Sequence, residues 1–148
     1  MRLTRFTDYA LRVLIYLGTR TDRRAAVGEI ADAYGISKHH LTKVMLFLAG
    51  EGYVTTTRGK GGGVALKVEP GRIRIGDVVR KSEADSVLVE CFGHERSNCR
   101  IQWPCLLRGA FEKAQQAFYA VLDTYTLADL IENRPVLARA LRMSSAGR

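Results

Sequence analysis

No cysteine lies outside one fifteen-residue stretch, where Cys91, Cys99 and Cys105 fall together. A C-x-x-C pair is also missing, which argues against dithiol redox catalysis. No spaced nucleophile–base–acid set occurs either, so an enzyme is not expected. No apolar run approaches the roughly 20 residues needed to cross a bilayer. The opening residues, Met1 to Asp8, lack the apolar core and small-residue cleavage site of a secretory signal. The chain is therefore predicted to be cytoplasmic, without a membrane partner. Thiols stay reduced there, and clustered cysteines serve metal binding more often than disulfides.

What is present begins with charge. The 148 residues carry a formal net charge of +8. Residues 1–80 hold 14 Lys or Arg against 7 Asp or Glu, whereas residues 81–148 hold 9 against 8. The positive potential thus belongs to the first half, as expected of a surface that approaches phosphates.

Periodicity gives that half a shape. Phe6, Tyr9, Ala10, Val13, Leu14 and Leu17 fall at helical spacing, with Thr4 or Thr7 as candidate N-cap and Gly18 near the stop. A short second helix runs over Val27–Tyr34 and ends at Gly35, which tolerates the positive φ of a tight turn. Ser37 is placed to cap a third helix that buries Leu41, Val44, Met45 and Leu48. Small Ala31, Gly35 four residues later and aliphatic Leu41 ten residues later predict a helix-turn-helix. The third helix then exposes Ser37, Lys38, His39, His40, Thr42 and Lys43. Its first-turn N–H groups suit phosphate, and its lysines and histidines suit phosphates or major-groove base edges.

Two β-prone runs, Tyr53–Arg58 and Val64–Val68, flank a glycine-rich tip with Arg58, Lys60 and Gly61. This is the pattern of a hairpin wing that approaches the sugar–phosphate backbone. The glycines are not a nucleotide cradle, because no Lys-Ser or Lys-Thr helix follows them. Another short helix starts at Ile75. A longer apolar stripe of about five turns, Leu107, Ala110, Phe111, Ala114, Ala117, Phe118, Val121, Leu122 and Tyr125, exceeds what a small winged helix covers. Its simplest partner is its own copy, giving a homodimer on a pseudo-palindromic double-stranded DNA operator.

The expected fold is mainly α with a small β-hairpin (α+β): a winged helix-turn-helix followed by a long C-terminal dimerisation helix. Residues 1–80 form the DNA-binding region, with the helix-turn-helix at about 27–50 and the wing at about 53–68. Residues 81–106 carry the cysteines, 107–134 the dimerisation and closing helices, and 135–148 a tail expected to be partly disordered.

The cysteine spacing is C-x7-C-x5-C. Structural zinc favours four ligands with closely spaced pairs. Zinc held by three cysteines and His94 stays open as the site of a structural-zinc transcription factor. The wide gaps suit the separated corners of an iron–sulfur cluster, with one corner left for a non-thiolate ligand.

Several blocks resemble one family. These are Met1-Arg2-Leu3-Thr4 with Phe6-Thr7-Asp8-Tyr9, Arg58-Gly59-Lys60 with Gly62-Gly63, Ile73 to Arg80, the three cysteines, and Tyr125 to Leu130. Together they are similar to NsrR, the nitric-oxide-sensitive iron–sulfur repressors of bacteria. The resemblance runs from residue 1 to about 132. It implies a dimeric repressor whose cluster, [4Fe-4S] or [2Fe-2S] and one per subunit, is attacked by nitric oxide, releasing promoters of detoxification genes. Cys91, Cys99 and Cys105 match the ligand cysteines. Asp8 matches an acidic position that in some members supplies the fourth ligand from the other subunit; its alternative role is to cap the first helix. Arg12, one turn on, is the expected switch partner of Asp8. The seven-residue first gap and Trp103-Pro104-Cys105 depart from the family pattern. Related regulators of this fold sense redox state or iron–sulfur supply.

Overall fold

The computed structural model describes residues 2–59, 61–84, 86–92 and 98–142. Helix α1 spans Arg5–Thr19, α2 Val27–Tyr34 and α3 Lys38–Gly50. Strands β1 (Val54–Thr57) and β2 (Gly63–Leu66) pair antiparallel, with Val54 opposite Leu66 and Thr57 opposite Gly63. A single turn of 3-10 helix at Pro70–Arg72 leads to α4 (Ile75–Ser82). The C-terminal part contains α5 (Leu106–Asp123), α6 (Leu127–Leu130) and α7 (Arg134–Ala140). The expected mainly helical fold with a two-stranded wing is what the chain adopts.

Local chemistry explains the element ends. The Thr4 hydroxyl accepts the Thr7 N–H at 3.2 Å and so caps α1. Gly35 closes α2 at φ 63°, a left-handed conformation that glycine adopts without a Cβ penalty. The wing receives a third pairing from the segment before α2. Ala25 N–H donates to Val64 C=O at 2.9 Å, and Val64 N–H donates back at 2.8 Å.

The core lies where α1 meets α3, α4 and α6. Val13 and Leu14 of α1, Leu41, Val44 and Leu48 of α3, and Val78 and Val79 of α4 are fully buried. Leu127 and Ile131 close this core from the C-terminal side. Their closeness gives Gly18 a second role. It stands one residue before the end of α1, as expected, and a Cβ there would lie 2.9 Å from Ile131 Cδ1. The glycine therefore also admits α6.

The C-terminal segment holds one more helix. Residues 135–140 of the expected tail belong to α7, and Leu137 and Leu141 pack on the core. Pro135 at its first turn fits a helix start, where a missing N–H costs nothing. Residues 143–148 lie outside the described residues.

Helix α5 behaves unlike the others, since none of its residues is buried. Phe118, Tyr119 and Leu122 lean on the core. Leu107, Ala110, Ala114, Ala117 and Val121 are exposed. These five positions alternate by three and four residues, the seam spacing of a paired helix. Arg80 on α4 anchors α5 by donating to Asp123 Oδ1 at 2.7 Å, with its guanidinium 4.6 Å from the Tyr119 ring centre. Gly76 makes room for that carboxylate, because a Cβ there would lie 1.9 Å from Asp123 Oδ1.

Candidate nucleic-acid interface and cysteine segment

The start of α3 presents the residues expected to meet DNA. Ser37, Lys38, His39, His40, Thr42 and Lys43 are all exposed, while Leu41, Val44, Met45 and Leu48 face the core. Ser37 and His40 are nevertheless tied to each other. The Ser37 hydroxyl accepts the His40 N–H at 3.4 Å and lies 3.0 Å from His40 Nδ1. The His40 ring also sits 6.1 Å from the ring of Tyr9 on α1. Lys38 runs beside α2, where Gly28 leaves it space; a Cβ there would stand 3.3 Å from Lys38 Cε. His39 and Lys43 project from the exposed side of the helix.

Arg58 and Gly61 are exposed at the wing, and Lys60 lies outside the described residues. Gly59 and Gly61 have φ of 91° and 78°, a region that disfavours side-chain-bearing residues. Gly62 is held by sterics, since a Cβ would lie 2.3 Å from the Thr57 carbonyl oxygen. The tip is thus a narrow backbone surface flanked by positive charge.

Asp8 does not cap α1, a role that Thr4 fills. Its carboxylate instead receives Arg12 in a two-pronged pair, Nε to Oδ1 at 3.0 Å and Nη2 to Oδ2 at 3.0 Å. Both side chains are a little under half exposed. Arg12 also sits 5.7 Å from the centre of the Tyr34 ring on α2.

Cys91 lies in a one-turn 3-10 helix at Glu90–Phe92, Cys99 begins the next turn, and Cys105 is the N-cap residue of α5. All three are half-buried and none is in a disulfide. The Asn98 N–H donates to Glu90 Oε1 at 2.7 Å, which draws together the two stretches bearing Cys91 and Cys99. His94 lies outside the described residues. Among the described residues, no three metal-ligating side chains converge. The donor chemistry still suits iron: three cysteine sulfurs outside any disulfide, one beside the unpaired N–H groups of a helix start, where negative charge is favoured.

One buried group between these regions carries no local signal in the sequence. Glu83, 9% exposed at the end of α4, sends Oε1 to the N-terminus of α1. That oxygen accepts the Thr4 N–H at 2.8 Å, the Thr4 hydroxyl at 2.7 Å and the Thr7 hydroxyl. Burial pushes the Glu83 carboxyl up, but the donors on Thr7, Thr4 and Ser86 outweigh it and hold the group below the usual glutamate range. Glu83 therefore joins the beginning of α1 to the base of the cysteine segment.

A helix-turn-helix with a basic hairpin wing and an exposed reading helix defines a DNA-binding transcriptional regulator of the winged-helix class. Residues 3–133 match the Rrf2 family, described as iron-dependent transcriptional regulators, and the chain belongs to that family. It is 46% identical to the HTH-type transcriptional regulator NsrR of Bacillus subtilis over 97% of this chain and 99% of that protein. It is 45% identical to the NsrR of Geobacillus kaustophilus, over 96% and 97% respectively. Its backbone superposes on CymR, the global cysteine regulator of B. subtilis, with a TM-score of 0.70 and 25% identity, covering 90% of this chain and 98% of that one. The likeness to NsrR read from the sequence holds over nearly the whole chain, and the family's members are regulators rather than enzymes. Among the described residues, no helix is long and apolar enough to cross a membrane.

Proposed function

We propose that this chain is a homodimeric repressor that senses nitric oxide through one iron–sulfur cluster per subunit, bound by Cys91, Cys99, Cys105 and Asp8 of the partner subunit. The observation that carries this reading is Asp8. Its carboxylate is free of capping duty, half-exposed, and among the described residues bound only by a surface arginine one turn away. Such an i,i+4 pair contributes about 0.3–0.5 kcal/mol, so Asp8 can exchange Arg12 for a stronger partner at little cost. When bound, the cluster supplies irons that nitric oxide attacks.

The chain's own residues relay the exchange. Asp8 precedes Tyr9, whose ring rests against His40 at the start of the reading helix. Phe6, on the same turn, meets Phe47 of α3 edge-on at 5.2 Å. Pulling Asp8 toward the partner tilts α1 and carries α3 with it. When Asp8 falls back on Arg12, the two reading helices lose the spacing that matches both operator half-sites. The exposed seam on α5 pairs the subunits, and its alanines let two helices approach closely.

The test uses protein purified without oxygen and DNA selected from a random pool. The expected protein is brown, contains iron and acid-labile sulfide, and loses affinity for its site at least tenfold on nitric oxide. The Cys91→Ser/Cys99→Ser/Cys105→Ser protein is expected to be colourless and to bind weakly. Wild-type affinity in that variant, still abolished by the gas, would overturn the proposal. A response to oxidants but not to nitric oxide would assign the chain to the redox-sensing branch of the fold.

A further inference from the structure

A groove of about 1060 Å³ opens between the end of α1, the loop after it, the end of α3, the outer part of β2 and the start of α7. Its lining is rich in cations, two of which are already paired, as is one of its acids. Arg20 faces Asp22 at 3.5 Å, Arg23 holds Glu29 at 2.7 Å, and Glu51 is taken by Lys81 at 2.6 Å. Arg24, Lys67, Arg72 and Arg134 also line the groove, and none has a carboxylate partner among the described residues. Glu69 is the uncompensated acid of the lining. Moreover, Nη1 of Arg24 is buried without a hydrogen-bond partner among the described residues. A buried guanidinium N–H is costly to leave unpaired, and its planar fork matches an oxyanion.

We propose that this groove binds a small phosphate-bearing anion, held by Arg24 with Arg72, Arg134 and Lys67. Four cations against one acid ask for a multiply charged ligand, which a phosphate or diphosphate group supplies and a lone carboxylate does not. The groove opens away from the start of the reading helix and takes in the base of the wing, Ala65 to Val68. It adjoins Glu51–Tyr53 at the far end of α3, and thirteen helical residues place that end roughly 20 Å from Ser37. Its occupant bridges the end of α3 and the base of the wing, so it acts on the geometry of the reading unit.

Isothermal titration of the full chain with adenosine diphosphate, at constant ionic strength and with adenosine as the uncharged control, tests the proposal. One saturable site per chain is expected for the diphosphate and none for adenosine. Affinity should fall at least tenfold in Arg24→Gln and in Arg72→Ala/Arg134→Ala. It should stay within twofold of wild type in Lys38→Ala/Lys43→Ala. Arg72 and Arg134 are exposed, so their truncation keeps the test valid if Arg24→Gln fails to fold. No saturable binding, equal binding of adenosine, or equal loss in the Lys38/Lys43 variant overturns the proposal. DNA supplies the same phosphate chemistry, so operator affinity and its salt dependence are measured in Arg72→Ala/Arg134→Ala without added ligand. Both should be unchanged, and a loss of affinity with a shallower salt slope would assign the groove to the duplex instead. None of these readouts depends on the cluster or on nitric oxide.

Discussion

The front half of the chain and its longest helix bury apolar side chains in opposite ways. Each helix through α4 sends aliphatic residues into a shared core, with Leu14, Leu41 and Val78 fully enclosed, and only Leu46 among the large aliphatics of these helices stands mostly in solvent. Helix α5 leaves Leu106 at 92% and Leu107 and Val121 at 60% exposure. The first region encloses its core within one chain, whereas the second carries an apolar seam that the described residues do not cover. Apolar spacing alone therefore does not say where a residue is buried; what else the chain has available to pack on it decides.

The largest predicted effect breaks that contrast directly. Leu41→Ala removes a fully buried side chain and should cost about 2–5 kcal/mol of unfolding free energy in urea titrations. Val121→Asp, on the exposed seam, should leave the helical signal of the chain intact while shifting the species seen by sedimentation from dimer toward monomer. Equal loss of folding in both variants would show that the seam is covered within the chain, and a Val121→Asp protein that remains dimeric would remove α5 from the interface.

A smaller effect is expected where the two regions meet. Glu83 has a lowered folded-state pKa, so the stability it contributes is fully present above the ordinary glutamate range. That stability is lost as pH falls through the folded-state value. Replacing it by glutamine substitutes a neutral acceptor for a charged one, at about 1–3 kcal/mol near neutral pH. The difference in stability between wild type and Glu83→Gln should shrink as pH falls below the ordinary glutamate range, and it should level off only below the lowered folded-state value, where both side chains are neutral. A gap that stays constant with pH would mean that the carboxylate charge plays no part in joining α4 to α1.

These pairs show what the sequence could and could not disclose. The ends of α2 and α3 were legible because Gly35 and Ser37 act on backbone within three residues of themselves. The reading face was legible because Leu41, Val44, Met45 and Leu48 repeat at helical spacing and leave the other side to water. The Glu83 contacts cross 76 and 79 positions of the chain, and no local pattern marks them. The packing role of Gly18 was hidden for the same reason: its neighbour Ile131 is remote in sequence. Helix α7 has seven residues, too few for a clear period, and its order depends on Leu137 and Leu141 meeting the core. The Ser37–His40–Tyr9 arrangement was likewise hidden, because it needs α1 and α3 already packed together.

The smallest effect concerns Asp8 and Arg12, and it separates an inert surface pair from a switch. Arg12→Ala removes a pair that is nearly half exposed, so thermal stability should change by no more than about 0.5 kcal/mol. If the pair only decorates α1, operator binding should be equally indifferent in cluster-free protein. If Arg12 is the resting partner of Asp8, the variant should bind its operator about twofold more tightly than wild type once the cluster has been removed, because the pair of about 0.5 kcal/mol that holds α1 in its released position is gone. Anisotropy titrations of cluster-free wild type, Arg12→Ala and Asp8→Ala decide between the two. The switch requires Arg12→Ala to depart from wild type while Asp8→Ala loses the difference between cluster-bound and cluster-free protein. Three superimposable binding curves, with that difference retained in Asp8→Ala, would leave Arg12 as a surface residue and move the coupling to Glu83.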